Sequence, residues 1–373
     1  MPLVYTLAVN GSTVYAGGDF TRIGLDRRNN IVALDTTSGA ATSWNPSAAA
    51  RVRTLAISDS AIYAGGDFAS IGGVLRNNIA ALDTRTGMAT DWDPNANGSV
   101  LALALRNSTL YVGGEFNAIG GESRKFIAAL NTTTGAASGW NPDANDRVAT
   151  LALGDNRIYA GGFFTTIQGV TRTHIAALNT ITGAATSWIP NADDIVYTLG
   201  VSGNRVYAGG EFANIGGAVR ASIAALNDST GDAIPAWMAD ADLPVLALTI
   251  SGNTVYVGGV FNNIGGQARN FIAALNTADG AVTPWNPNAD SLVLALAVSG
   301  NTVYAGGNFA NIGQGQHFYL AALATSDAVA TSWNPNVDAA IRALAPTANT
   351  IYAGGDSTTV GGEPMTGIAF IPK

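Results

Sequence analysis

The chain has 373 residues, 47% of them apolar and 12% charged, with 45 glycines, 13 prolines and no cysteine. That composition supplies a large core and excludes disulfides, thiolate metal sites and cysteine nucleophiles together. A net charge of −8, with Lys125 and Lys373 the only lysines, argues against a nucleic-acid partner, because phosphate backbones demand clustered Lys and Arg.

The first ten residues, MPLVYTLAVN, lack the basic region and cleavage pattern of a signal peptide and read as the start of a repeat. Aligned on tyrosine, the repeat recurs at Tyr15, Tyr63, Tyr111, Tyr159, Tyr207, Tyr256, Tyr304 and Tyr352, at a 48-residue period with a single interval of 49. Tryptophans keep the same beat at Trp44, Trp92, Trp140, Trp188, Trp237, Trp285 and Trp333. The units are 4–51, 52–99, 100–147, 148–195, 196–244, 245–292, 293–340 and 341–373, read as one domain over 1–373. Within a unit four short runs read as strands, for example 100–105 (VLALAL), 109–113 (TLYVG), 126–130 (FIAAL) and 136–140 (AASGW). Tight turns separate them, such as Asn10-Gly11 between the first and second strands and TTTG between the third and fourth. No segment holds a 3.6-residue period, and no apolar run reaches 18 residues, so neither helix nor membrane insertion is expected.

Four antiparallel strands repeated at this period predict an all-β, eight-bladed β-propeller. The last unit stops after 367–371 (GIAFI) without a tryptophan strand, so the last blade is expected to lack its outer strand. Two expectations follow from that edge. Either an upstream segment of a longer polypeptide supplies the strand, or the edge from Gly367 to Ile371 accepts one from another molecule and the protein self-associates.

The string ALDTTSGAATSW (33–44) resembles the repeat of quinoprotein-type propellers. The fuller pattern, YAGGDF-x-x-IGG-x-x-R-x-x-IAALD-x-x-TG followed by WNP, more closely resembles delta-type propeller repeats of large bacterial surface or secreted proteins, which mostly lack an assigned function. The resemblance covers nearly the whole chain. It implies an extracellular or cell-surface location and a binding, adhesion or assembly role, and it brings no catalytic residues. The adjacent cysteine pair of some quinoprotein enzymes is absent.

Candidate site residues come from the repeated YAGGDF. Its acidic position is held by Asp19, Asp67, Glu115, Glu211 and Asp356, with Phe163, Val260 and Asn308 in the other units. An arginine follows nine residues later at Arg28, Arg76, Arg124, Arg172, Arg220 and Arg269, replaced by His317 and Met365. It is expected to partner either the acid or backbone carbonyls of the loop. The second-to-third and fourth-to-first connections share one face, which gathers Asp93, Asp143, Asp146, Asp193, Asp194, Asp240, Asp242, Asp290 and Asp338. Such oxygen-rich loops suit calcium, though no calcium-loop spacing occurs and Asp and Asn commonly serve turns. Protein or glycan is the expected partner there. Departures from the repeat at Phe163, Phe164, His174, Ile189 and Met238 suggest an apolar contact patch. No cofactor and no catalytic constellation is singled out. The alternatives to a binding module are a subunit polymerising by strand exchange and a carbohydrate-active enzyme using carboxylates on the loop face.

Overall fold

The computed structural model describes residues 3–361, 363–364 and 367–373. Among these residues the chain is entirely β, without helix: eight three-stranded antiparallel sheets alternate with eight two-stranded ribbons. One sheet forms per repeat, as the 48-residue period requires. In unit three the inner, middle and outer strands are Val100–Arg106, Thr109–Gly114 and Ile127–Asn131. The middle strand is buried along nearly its whole length, as its apolar sequence demands. The turns differ slightly from expectation. Asn10 pairs with Thr13, so the first hairpin loop is Gly11-Ser12, with Gly11 at φ 56°.

Two features depart from the sequence reading. The expected fourth strand, 136–140 in unit three, is reduced to an isolated bridge, Leu130↔Ala137, and its counterparts are likewise single bridges. The segment cannot continue along the third strand because its bonds divide. Ser138 N–H donates to Ala129, while Ala137 N–H turns to Gly120 in the neighbouring ribbon. The long second-to-third connection, read as loop, instead folds as a ribbon, Ala118–Ile119 against Glu122–Ser123.

Each sheet packs on the next through its inner strand. The Tyr–Trp pair of a unit forms an edge-on stack, 5.0 Å between centroids for Tyr15 and Trp44. The indole then reaches into the following unit, where Trp44 Nε1 donates to Asp83 O at 2.9 Å. Seven seams repeat this bond, ending with Trp333 to Pro372 O. The eighth sheet also packs on the first: Val4, Val14 and Leu34 share a core cluster with Ala345, Tyr352 and Ile368. Tyr352 Oη donates to Asp35 O at 3.1 Å across the whole sequence. Unit eight differs inside as well. Ser357, fully buried and without a hydroxyl partner among the described residues, stands where the other seven units bury phenylalanine.

Candidate functional site at the inner-strand mouth

The paired glycines of YAGGDF exist for close approach. A Cβ on Gly17 would lie 2.5 Å from Val52 Cγ1 of the next unit, and one on Gly18 would lie 2.0 Å from the carbonyl oxygen of Leu3. Only glycine fits both places. Opposite them every inner strand carries a β-bulge, between Val4 and Thr6 in unit one and at the matching point of the other seven. A bulge leaves one residue unpaired and re-aims its side chain. Those residues are Tyr5, Arg53, Leu101, Ala149, Tyr197, Leu246, Leu294 and Arg342.

The bulged residue lies 14 positions before the acid position of its own unit, and in units two, five and eight the two side chains meet. Arg53 grips Asp67 with two bonds of 2.8 Å, and Arg342 grips Asp356 at 3.0 and 3.1 Å. Tyr197 Oη donates to Glu211 at 2.7 Å. Neighbouring units join the row. Arg51 lies 3.7 Å from Asp19 and 3.4 Å from Asp67, and Arg147 lies 3.2 Å from Glu115. The guanidinium of Arg147 also sits 3.6 Å above the Phe163 ring, a cation–π contact. Tyr5 stands by Arg53 at 6.0 Å. In units six and seven the same positions are Leu246, Val260 and Leu294, all half-buried, with an exposed Asn308. The bulge and acid positions therefore carry paired charges and aromatics mainly in units one to five and eight, and aliphatic groups with one amide in units six and seven.

Charge at the mouth is fixed by these partners. Burial alone would push the Asp67 carboxyl up, but hydrogen bonds from Arg53 and Ser99 and the charges of Arg53 and Arg51 outweigh it and hold the group below its usual range. Burial first, then the hydrogen bond and charge of Glu211, push the Tyr197 hydroxyl up to about 12. At neutral pH Asp67 is therefore ionised and paired, and Tyr197 keeps its proton.

The arginine nine residues after the acid has a different role from pairing with it. Arg28 and its counterparts donate to carbonyls: Arg28 reaches Arg27 O and Thr42 O, Arg124 reaches Ser123 O and Ser138 O, and Arg269 reaches Ala268 O and Thr283 O. This row ties the ribbon to the segment before each tryptophan. His317 takes its place in unit seven, buried and with Nδ1 unpartnered among the described residues. Met365 lies outside the described residues.

The aspartates of the connecting face do not converge. Among the described residues no three His, Cys, Asp or Glu side chains group as metal ligands. Four of them act instead as clasps between units. Asp193 accepts from the backbone N–H groups of Ala213 and Asn214 and from Asn214 Nδ2, and Asp242 does the same with Asn262 and Asn263. Asp290 and Asp338 hold Ala310 and Thr358. Asn97 and Asn145 make the matching backbone bonds in units two and three. The rest are local: Asp93 pairs with Arg76, Asp143 with Lys125, and Asp146, Asp194 and Asp240 accept from backbone N–H groups.

Desolvation raises these four clasp carboxyls, but side-chain and backbone donors outweigh it and lower all four. A depressed folded pKa means stability that is present above the unfolded value, near 3.9, and lost as pH falls through the folded value. We expect the triple variant D193N, D242N, D290N to melt as the wild type does at pH 7, because asparagine already serves in units two and three. It should lose less stability between about pH 4 and 2, as read by thermal melts.

The apolar departures do not form one patch. Phe164 is fully buried in a core cluster and carries no contact surface, because the YAGGDF aromatic points inward in seven units. Phe163 lies at the mouth under Arg147. His174 holds φ 62° at the residue before its outer strand, with Nδ1 3.1 Å from Gly162 O. Ile189 and Met238 are exposed, on the segments after Trp188 and Trp237. The bulge residues were missed in sequence. The signal was there, since the residue after the first Val or Ile of each inner strand is the one position of that strand that changes between Tyr, Arg, Leu and Ala.

Comparisons agree with this architecture. Residues 153–184, a stretch within unit four, match the family described as "Domain of unknown function (DUF5122) beta-propeller". The fold is similar to the computationally designed Ika8 protein, with a TM-score of 0.69 at 16% identity over 99% of this chain and 96% of that one. It is also similar to the WD40 beta propeller domain of Doa1, with a TM-score of 0.52 at 12% identity over 82% and 89%. BamB from Moraxella catarrhalis matches at a TM-score of 0.48, 21% identity and 79% of each chain. No curated protein matches in sequence. The chain is a β-propeller repeat protein similar to the DUF5122 propellers of unknown function.

Proposed function

We propose that the eight sheets are the blades of a closed propeller, with an incomplete last blade, that serves as a non-enzymatic interaction module and binds its partner at the inner-strand mouth. One observation carries this reading: side-chain chemistry varies at the mouth while the buried framework around it is repeated. Tyrosine, the paired glycines and tryptophan recur because the packing needs them. The bulge and acid positions instead run from Arg–Asp and Tyr–Glu pairs to Leu–Val. A rigid ring that displays different groups at equivalent points can distinguish one side of a ligand from the other.

The belt of Arg51, Arg53, Arg147, Tyr5, Tyr197 and Phe163 offers planar stacking surfaces and bidentate donors beside carboxylates. That set suits an extended polypeptide or an oligosaccharide. A surface or secreted bacterial protein with an adhesive or assembly role is the setting we favour, on the strength of the repeat's resemblance. The test compares wild type with the variant R53S, R147S, Y197F on glycan and peptide arrays. Ligands retained by the wild type and lost by the variant support the mouth. Retention by both places the site elsewhere. Polysaccharide hydrolysis that disappears in Asp67→Asn would replace this reading with an enzymatic one.

A further inference from the structure

The ribbon of unit seven, Asn311–Ile312 against Gly315–Gln316, departs from the repeat at Gln314, Gly315 and His317. In the turn of the ribbon five other units place glycine, at Gly73, Gly121, Gly169, Gly217 and Gly266, with φ between 70° and 85°. Gln314 takes that place and keeps the conformation, at φ 67°. Glycine adopts this region freely, whereas L side chains disfavour it. Gly315 stands where other ribbons carry side chains such as Val74, Glu122 and Gln267. His317 replaces the arginine of six other units. The last two changes are linked, because a Cβ on Gly315 would lie 3.2 Å from both Cδ2 and Nε2 of His317.

A cleft of about 340 Å³ lies between this ribbon and the unit-six segment that follows Trp285. Asn286, Asn288, Asn311, Gln314 and Gln316 line it with five exposed amides, and the buried Pro287 and Ile312 form its floor. Two of the amides are oriented from behind. Asn311 Nδ2 donates to Asp290 Oδ2 at 2.7 Å, which leaves the Asn311 oxygen as an acceptor. Asn270 Nδ2 donates to Asn288 Oδ1 at 2.8 Å, which leaves the Asn288 NH2 as a donor. Among the described residues none that lines the cleft is charged. Behind Gly315, burial lowers the His317 pKa and keeps the imidazole neutral at pH 7, where six other ribbons carry a guanidinium. Other seams lack this set: the place of Asn286 is Ile189 in unit four and Met238 in unit five, and the place of Asn311 is Ser70 in unit two and Ala118 in unit three.

We propose that this cleft binds a neutral sugar, free or within a glycan chain, with its hydroxyls held by the amides and its C–H face against Pro287 and Ile312. A hydroxyl both donates and accepts, and so does a carboxamide, so adjacent hydroxyls of one ring match the fixed acceptor of Asn311 and the fixed donor of Asn288. An uncharged lining offers nothing to offset the desolvation of a phosphate, a carboxylate or an ammonium group. A peptide would bring apolar side chains, for which the cleft has only Pro287 and Ile312. Its volume suits a small ligand, at the lower end of the usual range of about 300–1,000 Å³. The disfavoured backbone of Gln314 fits the same reading, because a glutamine kept where glycine would be unstrained is kept for its side chain. The cleft shares no residue with the inner-strand mouth, so it stands or falls apart from that site.

The test is saturation-transfer NMR with glucose, galactose, mannose and N-acetylglucosamine, each free and as its methyl glycoside. Glucosamine and N-acetylneuraminic acid serve as charged comparisons. At least one neutral sugar should receive saturation from the wild type. Gln314→Gly restores the residue of five other ribbons, should melt no lower than wild type, and should weaken that sugar about tenfold or more. Asn286→Leu, at a place that is apolar in units four and five, should give the same loss and replaces the first variant if that one folds poorly by circular dichroism. The mouth variant R53S, R147S, Y197F should bind the sugar as wild type does. Binding of the methyl glycoside as well as the free sugar assigns the cleft to a glycan chain, and binding of the free form alone assigns it to a released sugar; both agree with the proposal. No transfer to any neutral sugar at about 10 mM, tighter binding of a charged one, unchanged binding by the cleft variants, or loss in the mouth variant would overturn it.

Discussion

Gly210→Ala is expected to destabilise the protein by about 3 kcal/mol, a large effect for one methyl group. The new Cβ would lie 2.1 Å from the carbonyl oxygen of Ile195 and 3.1 Å from Val196 Cα, both backbone atoms that cannot rotate away. The Ile195 carbonyl is where it is because the inner strand bulges at Tyr197, and it accepts from Glu211 N–H at 3.0 Å directly beyond Gly210. Pushing it aside breaks that bond and shifts Glu211 away from the Tyr197 hydroxyl. The loss should therefore appear twice: as a lower denaturation midpoint in urea with unchanged slope, and as a fall of the Tyr197 pKa from about 12 toward the ordinary phenol value. Gly139→Ala is the control. Nothing lies within 4 Å of its added Cβ, and it should change stability by less than about 0.5 kcal/mol. Equal effects from the two substitutions would show that close approach is not the reason for the second glycine.

Much of this architecture could be read from spacing alone, because each unit's packing rests on a few large or very small residues. A tyrosine, a glycine pair and a tryptophan at a fixed period announce the sheet, the close approach and the seam. The fourth strand failed because AASGW has the composition of a strand, yet Ala137 spends its N–H on Gly120 of a neighbouring ribbon. Local pattern does not reveal that competition. The ribbon 118–123 was missed because two-residue strands have no period to detect. The arginine row was half right, since it does serve loop carbonyls. The acid's true partner, Arg53 for Asp67, lies 14 residues before it, across a hairpin whose register is shifted by the bulge. Bulges depend on backbone contact with the facing glycines, so their position follows from GG only once the inner strand is laid against it.

The tryptophan seams rank second in expected effect, and they separate stacking from coverage. Trp188 is fully buried, stacks on Tyr159 at 5.1 Å and donates to Asn227 O at 2.8 Å. Trp188→Ala should cost about 4 kcal/mol, the range for emptying a large aromatic site. Trp188→Phe keeps a ring on Tyr159 but leaves the Asn227 carbonyl without its donor, and it should cost about 1–2 kcal/mol less than the alanine change. Trp333 makes the same kind of stack, 5.6 Å from Tyr304, and the same kind of bond, to Pro372 O, but its ring is only partly buried. The difference lies in the covering turn. Gly183 comes within 3.2 Å of Trp140, and Gly280 within 2.9 Å of Trp237, when a Cβ is added. Trp333→Ala should therefore cost about half as much as Trp188→Ala, read from urea midpoints of the two variants. Equal losses would assign the energy to the stack and hydrogen bond within reach of each indole. Unequal losses would assign it to the turn of the following unit, which makes each sheet depend on the next.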